Sequence, residues 1–266
     1  MVGTVLAHAF DYAAHSMERV TCNQCGSLHD FVVASSDRYG LPATTVQCGV
    51  EGCELRYLNP RMTKAAYAEF YAKHYRPLLT ALLGRPYTLS DVRENQRKYA
   101  TELVKDVASW VEPYPSAQLL DLGGSTGIVA RAFLDRWGGD ATVVDPCEAE
   151  LRYADGCETI RASAEDVRFD PQTFDVILLC RTIEHLLDPK GVLTRAREWV
   201  TPDGFLVVDA MDVDHWNEAS RYKVDHPYAF TQATLRRMVT SAGWRVRGSW
   251  IRRNGQYVGL VCSPQE

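Results

Sequence analysis

The chain has 266 residues and a formal net charge of −5. At about 150 residues per domain, this length predicts one large domain or a large one with a small companion. A hydrophobic fraction of 46% and a charged fraction of 24% exclude a disordered, collagen-like or coiled-coil chain. The acidic balance argues against general binding to nucleic acid or an anionic membrane, although it leaves a local basic groove open. We expect a cytoplasmic protein, because no apolar run approaches the length of a membrane span. The oligomeric state is not predicted.

Residues 1–20 have no basic start and are not typical of a secretory signal, so we treat them as an N-terminal tail. Four cysteines follow as two pairs, Cys22-x2-Cys25 and Cys48-x4-Cys53. Four thiolates at these spacings suit tetrahedral Zn²⁺, and such a closed site is structural because it has no open position. A segment of about 40 residues with few large apolar groups needs such a metal to fold. Two alternatives stay open: unligated buried cysteines, or His29 in place of one of them.

Residues 61–115 change to a helical pattern. Thr63 is a predicted N-cap of a helix that runs to Tyr75, and Asp91–Trp110 is a longer amphipathic helix. The proline-containing segment 112–116 is a predicted domain boundary. The predicted organisation is therefore a tail (1–20), a zinc ribbon (21–60), a helical lid or linker (61–115) and a larger domain (116–266).

From residue 117 onward, short apolar runs alternate with helical patterns. We predict strands and helices in the order 118–122 (strand), 127–137 (helix), 141–145 (strand), 159–161 (strand), 174–180 (strand), 191–200 (helix), 205–209 (strand), 232–242 (helix), 244–252 (strand) and 256–262 (strand). This alternation indicates an α/β fold with a doubly wound, mostly parallel sheet covered on both faces. Asn254-Gly255 predicts a hairpin between the last two strands, which adds an antiparallel strand at one edge.

A glycine-rich turn follows the first of these strands, between Asp121 and Gly127. Glycines let a ligand approach the backbone, and a helix N-terminus offers N–H donors. Asp145 ends the next strand, where a carboxylate can accept both ribose hydroxyls of a nucleoside. The pattern lacks the Walker phosphate loop and the dinucleotide fingerprint. It predicts a nucleoside-type site; a tight turn with a capping aspartate is the structural alternative.

These residues resemble the class I S-adenosylmethionine (SAM) dependent methyltransferases over about residues 117–265. Asp121-Leu-Gly-Gly-Ser125-Thr-Gly127 is similar to the family's first motif, with Ser125 in place of the middle glycine. The resemblance implies a Rossmann-like, seven-stranded sheet, with SAM as methyl donor and S-adenosylhomocysteine as product. It also implies a set of SAM-binding residues in this domain: Asp121, Gly123, Gly124, Ser125, Thr126, Gly127, Asp145, Pro146, Ala164, Glu165, Asp166 and Cys180.

The N-terminal third has a resemblance of its own. The run from Cys53 to Arg61 is similar to methyltransferases with an N-terminal zinc ribbon, a group often linked to sugars and natural products. In that group a helix with two tyrosines lies over SAM, which implies this role for Tyr71 and Tyr75. Packing on a helix face is the alternative for either tyrosine alone. The sequence departs from the pattern in its longer second cysteine pair and in Glu54, which stands where the family has glycine.

Methyl transfer to a hydroxyl needs a group that removes the proton. Histidine is the best candidate, because the pKa of its side chain lies nearest to neutral pH. His226 is the first candidate and His185 the second, with Asp225 and Glu184 as orienting carboxylates. His185 belongs to a segment, 183–189, similar to one common in small-molecule methyltransferases. A capping or packing role for His226 is the alternative.

We therefore expect a SAM-dependent methyltransferase that acts on a hydroxyl of a sugar or natural product. An RNA-directed methyltransferase is one alternative, and a non-catalytic SAM-binding or zinc-ribbon interaction module is another. The ribbon's charge argues against RNA, because four acidic residues outnumber two basic ones and thiolates add negative charge. The charged residues between 21 and 60 are Asp30, Asp37, Glu51, Glu54, Arg38 and Arg56.

Overall fold

A computed structural model describes residues 10–111 and 116–265. It divides into two compact units. The N-terminal unit comprises Met1–Thr88, Glu184–Leu187 and Met211–Thr234. The sheet unit comprises Leu89–Ile183, Asp188–Ala210 and Leu235–Glu266. Residues 1–9 of the predicted tail and 112–115 of the predicted boundary lie outside the described residues, and the four-part division stays a prediction.

The strands occur in both units. In chain order they are β1 (Met17–Glu18), β2 (Asp30–Ala34), β3 (Thr45–Cys48), β4 (Arg56–Leu58), β5 (Arg61–Met62), β6 (Gln118–Leu122), β7 (Asp140–Asp145), β8 (Glu158–Arg161), β9 (Phe174–Cys180), β10 (Val200–Met211), β11 (Tyr228–Ala229), β12 (Trp244–Arg252) and β13 (Tyr257–Pro264).

The helices are α1 (Lys64–Glu69), α2 (Tyr75–Leu83), α3 (Leu89–Val107), α4 (Ile128–Trp137), α5 (Glu148–Leu151), α6 (Pro189–Trp199), α7 (Glu218–Arg221) and α8 (Gln232–Ser241). A π-helical turn, Phe70–His74, joins α1 to α2, and short 3₁₀ turns cover Tyr12–Ala14, Ile183–His185 and Val213–His215. Within 10–111 and 116–265, none of these helices combines the length and apolar character that a bilayer crossing requires.

Local sequence explains where several helices begin and end. Thr63 caps α1 as predicted, since its side chain accepts a hydrogen bond from the N–H of Ala66. Asp188 caps α6 in the same way, and Pro189 occupies the first turn, where a missing N–H has no cost. Gly84 ends α2 in a left-handed conformation that suits glycine.

In the sheet unit, seven strands form one sheet in the order β12-β13-β10-β9-β6-β7-β8. The pairs β10–β9, β9–β6, β6–β7 and β7–β8 are parallel, whereas β12 and β13 form the predicted antiparallel hairpin at one edge. Strand β9, Phe-Asp-Val-Ile-Leu-Leu-Cys, lies inside the sheet and is buried along nearly all its length, as expected for a near-continuous apolar run. The predicted α/β fold with a seven-stranded, mostly parallel sheet is confirmed.

One core cluster of the sheet unit lies between the sheet and helices α3 and α4. Leu103 of α3 and Phe133 of α4 are buried together with Leu119 and Leu178 of the sheet. This packing leaves the carboxyl ends of β6, β7 and β9 along one edge, where ligands of open α/β sheets bind.

The N-terminal unit contains a four-stranded sheet, β11-β4-β3-β2, and the two-stranded pair β1–β5. Its core is aromatic, with Tyr67 and Phe70 buried around Met62. Strand β2 is an edge of the four-stranded sheet and exposes apolar side chains: Phe31 is 50% and Val32 62% exposed.

Candidate active site

The glycine-rich loop between β6 and α4 is closely packed. A Cβ atom on Gly123 would lie 2.5 Å from the side chain of Thr182, and one on Gly124 would lie 2.5 Å from Oδ2 of Asp121. Gly127 has a φ of 69° at the start of α4. Larger side chains are therefore excluded, and the bare backbone with its helix N-terminus faces the ligand-binding edge of the sheet.

Ser125 stands where the resembling family has glycine, and it adopts the left-handed backbone that glycine favours, with a φ of 52°. Its N–H donates to Oδ2 of Asp145 at 3.0 Å, and its hydroxyl donates to Glu150. The loop thus keeps a glycine-like path at this position despite the substitution.

Two buried carboxyl groups end the adjacent strands β6 and β7. Burial raises the pKa of Asp121 to about 7, with nearby Asp145 as a further cause, and burial raises the pKa of Asp145 to about 6. Oδ2 of Asp121 is buried and has no hydrogen-bond partner among the described residues. Asp145 accepts backbone N–H groups of Ser125 and Cys147, at 3.0 and 2.8 Å, and keeps further acceptor capacity. Both carboxyls suit a ligand that brings positive charge and hydroxyl donors.

The other residues predicted around this ligand follow the same edge. Pro146 is exposed just after β7. After β8, Ala164 is buried, and Asp166 accepts a hydrogen bond from Ser163 at 2.8 Å. Glu165 lies between them, half-buried. Thr126 is buried and its hydroxyl donates to Gln96 of α3, which ties the loop to that helix.

An arginine that the sequence analysis did not single out follows β9 directly. Arg181 has a φ of 54°, next to Cys180, whose thiol pKa is raised well above its usual range by burial. Its guanidinium carbon lies 3.5 Å from the ring centre of Tyr257 and 5.0 Å from that of Tyr99. Asp209 accepts hydrogen bonds from the Arg181 N–H and the Tyr99 hydroxyl, each at 2.8 Å. The sequence feature that could have identified Arg181 is its position, as a charged residue directly after a predicted buried parallel strand.

In the N-terminal unit, the four predicted zinc ligands come together. Their Sγ atoms all lie within 4.8 Å of one another. The pairs Cys22–Cys53 and Cys25–Cys48 are both 3.6 Å apart, close to the roughly 3.8 Å that Zn–S bonds of about 2.3 Å require in a tetrahedron. Burial raises the pKa of the Cys48 thiol to about 11, so a bound cation is needed to hold it as thiolate at neutral pH. The donor set therefore fits a structural Zn²⁺.

The predicted catalytic histidines also lie in the N-terminal unit, and they are neighbours. Their ring centres are 4.5 Å apart. Nδ1 of His185 lies 2.8 Å from the carbonyl oxygen of Asp225 and 3.0 Å from the hydroxyl of Tyr71. A carbonyl only accepts, so Nδ1 carries the proton and Nε2 keeps the basic lone pair. Nε2 of His226 lies 3.5 Å from Oδ2 of Asp225. The cluster thus combines two imidazoles with an orienting carboxylate.

Glu184 completes this cluster. It is 3% exposed, and its Oε2 atom has no hydrogen-bond partner among the described residues. One of its carboxylate oxygens lies within 4.8 Å of ring nitrogens of His185 and His226. The same three groups are also a donor set of the kind that binds a divalent cation.

The two predicted SAM-covering tyrosines differ in their contacts. The hydroxyl of Tyr71 donates to the carbonyl of Asp225 at 3.0 Å, in addition to its contact with His185. Tyr75 packs its ring 5.3 Å from that of Tyr71 and 5.9 Å from that of Phe70. Tyr71 therefore belongs to the histidine cluster, and their predicted contact with SAM stays a prediction.

Two residues missed in the sequence hold the loop that carries Asp225. The hydroxyl of Tyr39 donates to Oδ1 of Asp225 at 3.2 Å. Asp37 accepts the N–H groups of Tyr39, Leu41 and Val224, and burial raises its pKa to about 6. No local pattern relates these positions, which are separated by nearly 190 residues, so only the fold reveals the contact.

Comparison with known proteins shows the family to which the chain belongs. Residues 92–248, more than half of the chain, match a family described as "Methyltransferase domain". The chain therefore belongs to this methyltransferase family, and it is an enzyme of the methyl-transferring class, as its resemblance to the SAM-dependent methyltransferases implied.

Among curated proteins, the chain is 29% identical over 212 residues to the ubiquinone biosynthesis O-methyltransferase of Cereibacter sphaeroides, covering 76% of this chain and 75% of that protein. It is 32% identical over 110 residues to the ubiquinone/menaquinone biosynthesis C-methyltransferase UbiE of Roseobacter denitrificans. That second match covers 37% of this chain and less than half, 44%, of the relative.

Solved structures show the same fold at low sequence identity. A SAM-dependent methyltransferase from Aquifex aeolicus superposes with a TM-score of 0.54 at 15% identity, covering 66% of this chain and 98% of that one. One from Mesorhizobium loti has a TM-score of 0.52 at 12% identity, covering 59% and 94%.

The residues of the sheet unit fit SAM on physical grounds. The loop has room only for backbone at Gly123 and Gly124. The unpaired Oδ2 of Asp121 and the strand-end Asp145 suit a cationic ligand with a ribose diol. We conclude that the sheet unit is the SAM-binding part of this methyltransferase.

Proposed function

We propose that this enzyme transfers the methyl group of SAM to a hydroxyl oxygen of a small molecule, a sugar or natural product, in the cytoplasm. The cluster of His185, His226, Asp225 and Glu184 carries the proposal, because a hydroxyl acceptor must lose a proton and this cluster is built to take one. A curated relative named as an O-methyltransferase of ubiquinone biosynthesis supports a small-molecule acceptor.

SAM supplies a methyl group that already bears a good leaving group, so the protein mainly aligns the reactants and handles the proton. The acceptor's hydroxyl proton passes to His226. Asp225, 3.5 Å from Nε2 of His226, orients the ring and stabilises the imidazolium. His185 is the second candidate for this role, since its Nδ1 donates to the Asp225 carbonyl and leaves Nε2 basic.

The N-terminal additions have separate roles in this proposal. Zn²⁺ on Cys22, Cys25, Cys48 and Cys53 holds the ribbon folded. The helices that follow act as an acceptor wall or lid, which excludes water from the reaction. Tyr71, bonded to His185, belongs to that wall.

The test is methyl transfer from radiolabelled SAM to a panel of phenols, sugars and nucleotide sugars, with product analysis that locates the new methyl group. We expect an O-methylated product and a loss of about a hundredfold or more in kcat for His226→Ala, with unchanged affinity for S-adenosylhomocysteine. His215→Ala, which removes an exposed histidine, serves as control. A product methylated on carbon, as the name of the UbiE relative suggests, contradicts the proposed acceptor atom. Full activity and an unchanged pH profile in His226→Ala contradict the assigned base.

An RNA acceptor is the second candidate, and one observation favours it. In the sheet unit, Arg197, Arg245 and Arg247 line an open groove of about 510 Å³. The acidic ribbon and the net charge of −5 oppose it. Binding to transfer RNA that weakens steeply with salt, together with RNA methylation, would favour this candidate. SAM binding without transfer to any acceptor would instead favour a non-catalytic module.

A further inference from the structure

We infer that Tyr39, in the predicted ribbon (21–60), is a positioning residue for the histidine cluster: it holds the Asp225 carboxylate in the orientation that fixes the His226 ring. The ribbon then supplies a side chain that sets the geometry of the cluster. The inference deepens the proposed function, because it names a residue that acts through Asp225 on the proposed base. It rests on that function only for the effect on turnover.

The Asp225 carboxylate is shared between one tyrosine and one histidine. Its Oδ1 atom accepts the Tyr39 hydroxyl at 3.2 Å, and its Oδ2 atom lies 3.5 Å from Nε2 of His226. Asp225 and Tyr39 are both buried. Since the two oxygens of a carboxylate lie in one plane, a bond that holds Oδ1 also fixes the direction in which Oδ2 points. Tyr39 therefore restricts the rotation of Asp225 relative to the His226 ring.

The Tyr39 hydroxyl is a permanent hydrogen-bond donor. Burial raises the pKa of this hydroxyl well above its usual range, and the neighbouring Asp225 carboxylate raises it further. The hydroxyl therefore keeps its proton, while an ionised carboxylate only accepts. Because water does not compete for two buried groups, leaving Oδ1 of Asp225 without this donor would be costly.

The backbone of the ribbon holds the tyrosine in place. Asp37 accepts the N–H of Tyr39 at 2.9 Å and the N–H of Val224 at 2.8 Å. The N–H of Arg38 donates to the carbonyl of Tyr222, also at 2.8 Å. These bonds join the ribbon to the residues that come just before the cluster's aspartate. The tyrosine and the carboxylate that it meets are therefore set by one framework.

The ribbon also holds the chain just beyond His226. Strand β11 pairs antiparallel with β4, and the N–H of Leu58 donates to the carbonyl of Pro227 at 2.9 Å. The segment that carries the cluster is thus attached to the ribbon on both sides. With its backbone held in this way, side-chain rotation is the main freedom left to Asp225, and Tyr39 restricts it.

The test is Tyr39→Phe, which removes the hydroxyl and keeps the buried ring. The first readout is the ¹⁵N signals of the His226 ring in the full-length protein, which report the imidazole tautomer without any acceptor. A carboxylate only accepts, so in wild type we expect the neutral ring to carry its proton on Nε2, facing Asp225. In Tyr39→Phe we expect a mixture of both tautomers.

The second readout is turnover with an acceptor that the panel identifies. Tyr39→Phe should lower kcat about tenfold, because a hydrogen bond to a buried charged group is lost. The KM values should stay within about twofold, because Tyr39 itself contacts neither substrate in this proposal. Asp225→Asn should also give mixed tautomers. Adding Tyr39→Phe to Asp225→Asn should then cause no further loss, since both changes break the same arrangement.

Tyr57→Phe is the matched control. Tyr57 is also a buried ribbon tyrosine, and its hydroxyl donates to a different carboxylate, that of Asp30, at 3.0 Å. It should leave the His226 tautomer and kcat unchanged. Bound zinc and the thermal unfolding midpoint should be alike in the two tyrosine variants, which separates positioning from folding.

An unchanged tautomer in Tyr39→Phe overturns the inference. Equal effects of Tyr39→Phe and Tyr57→Phe would do the same, because they would indicate a general weakening of the ribbon. Additive losses in the double variant would show that Tyr39 does not act through Asp225. A changed tautomer with full turnover would support the positioning role and contradict His226 as the base, so failure of the proposed function is distinguishable.

Discussion

The two units differ in how their sites are assembled. In the sheet unit, the residues predicted to bind SAM lie at or just after the carboxyl ends of four neighbouring parallel strands, in the order β9-β6-β7-β8. In the N-terminal unit, the histidine cluster is drawn from three distant segments, around residues 71, 184–185 and 225–226. The first arrangement is readable from local motifs, and the second exists only once the chain has folded.

The difference also separates two tasks. In the proposed function, the groups that bind the methyl donor lie in the sheet unit, and the groups that handle the acceptor's proton lie in the N-terminal unit. Changes in one unit should therefore alter SAM affinity, and changes in the other should alter turnover.

Zinc removal should separate the two tasks most strongly. Cys48→Ser, or dialysis against a chelator, is expected to unfold the ribbon and lower turnover at least about a thousandfold, because structural zinc contributes about 10 kcal/mol or more to folding. Affinity for S-adenosylhomocysteine should stay within about twofold. Metal analysis should find one zinc per wild-type chain.

Cys157→Ser, which changes a thiol of the sheet unit, is the control. If the chelated protein kept full turnover, or if wild-type protein held no zinc, the ribbon assignment would be wrong.

The second largest expected effect is a loss of S-adenosylhomocysteine affinity on substitution in the glycine-rich loop. Gly123→Ala puts a Cβ atom 2.5 Å from the Thr182 side chain and should weaken S-adenosylhomocysteine binding by about tenfold to a hundredfold, equivalent to 1.4–2.7 kcal/mol. Gly156→Ala is a close match, because its φ of 74° resembles the 77° of Gly123 while its new atom meets only the end of a flexible Arg131. Equal losses in both variants would attribute the effect to backbone strain alone.

A pH-dependent prediction follows from Asp121. Its folded-state pKa of about 7 exceeds the unfolded value of about 3.9, so the ligand-free folded protein binds more protons between these values. Stability therefore falls as pH rises from about 4 to 7. Asp121→Asn should remove this loss and raise the free energy of unfolding at pH 8 by about 1–3 kcal/mol, with little change at pH 4.

Denaturant unfolding at both pH values measures this effect, with the exposed Asp140→Asn as control. A gain at pH 4 that matched the gain at pH 8 would show that ionisation of Asp121 is not its cause.

The smallest effect compares one residue from each unit. Ser125 and Glu54 stand where the resembling families have glycine, and both have left-handed backbones, with φ of 52° and 56°. Ser125→Gly and Glu54→Gly should each raise the free energy of unfolding by about 0.5–1 kcal/mol, less in Ser125→Gly because its bond to Glu150 is lost. Thr101→Gly, in helix α3, should instead lower it by about 0.3 kcal/mol.

Much of the fold was predictable because its causes are local. The apolar run of β9 predicts a buried parallel strand. The glycines of the loop after β6 predict a turn at which a ligand can approach the backbone. The spacing of the two cysteine pairs likewise predicted that the four N-terminal cysteines form one cluster. The features that could not be predicted from the sequence depend on contacts between residues far apart in the chain. Tyr39 reaches Asp225 over 186 residues, and no spacing rule relates them. The tautomer of His185 was also beyond the sequence, since a backbone carbonyl sets it.

One surface bears on how the protein behaves at high concentration. Strand β2 ends its sheet with Phe31 half exposed and Val32 62% exposed. An apolar sheet edge without a covering strand is a template for pairing with another chain, and natural proteins blunt such edges with lysine. Val32→Lys should therefore improve the solubility of the protein at millimolar concentration. It should leave the affinity for S-adenosylhomocysteine unchanged.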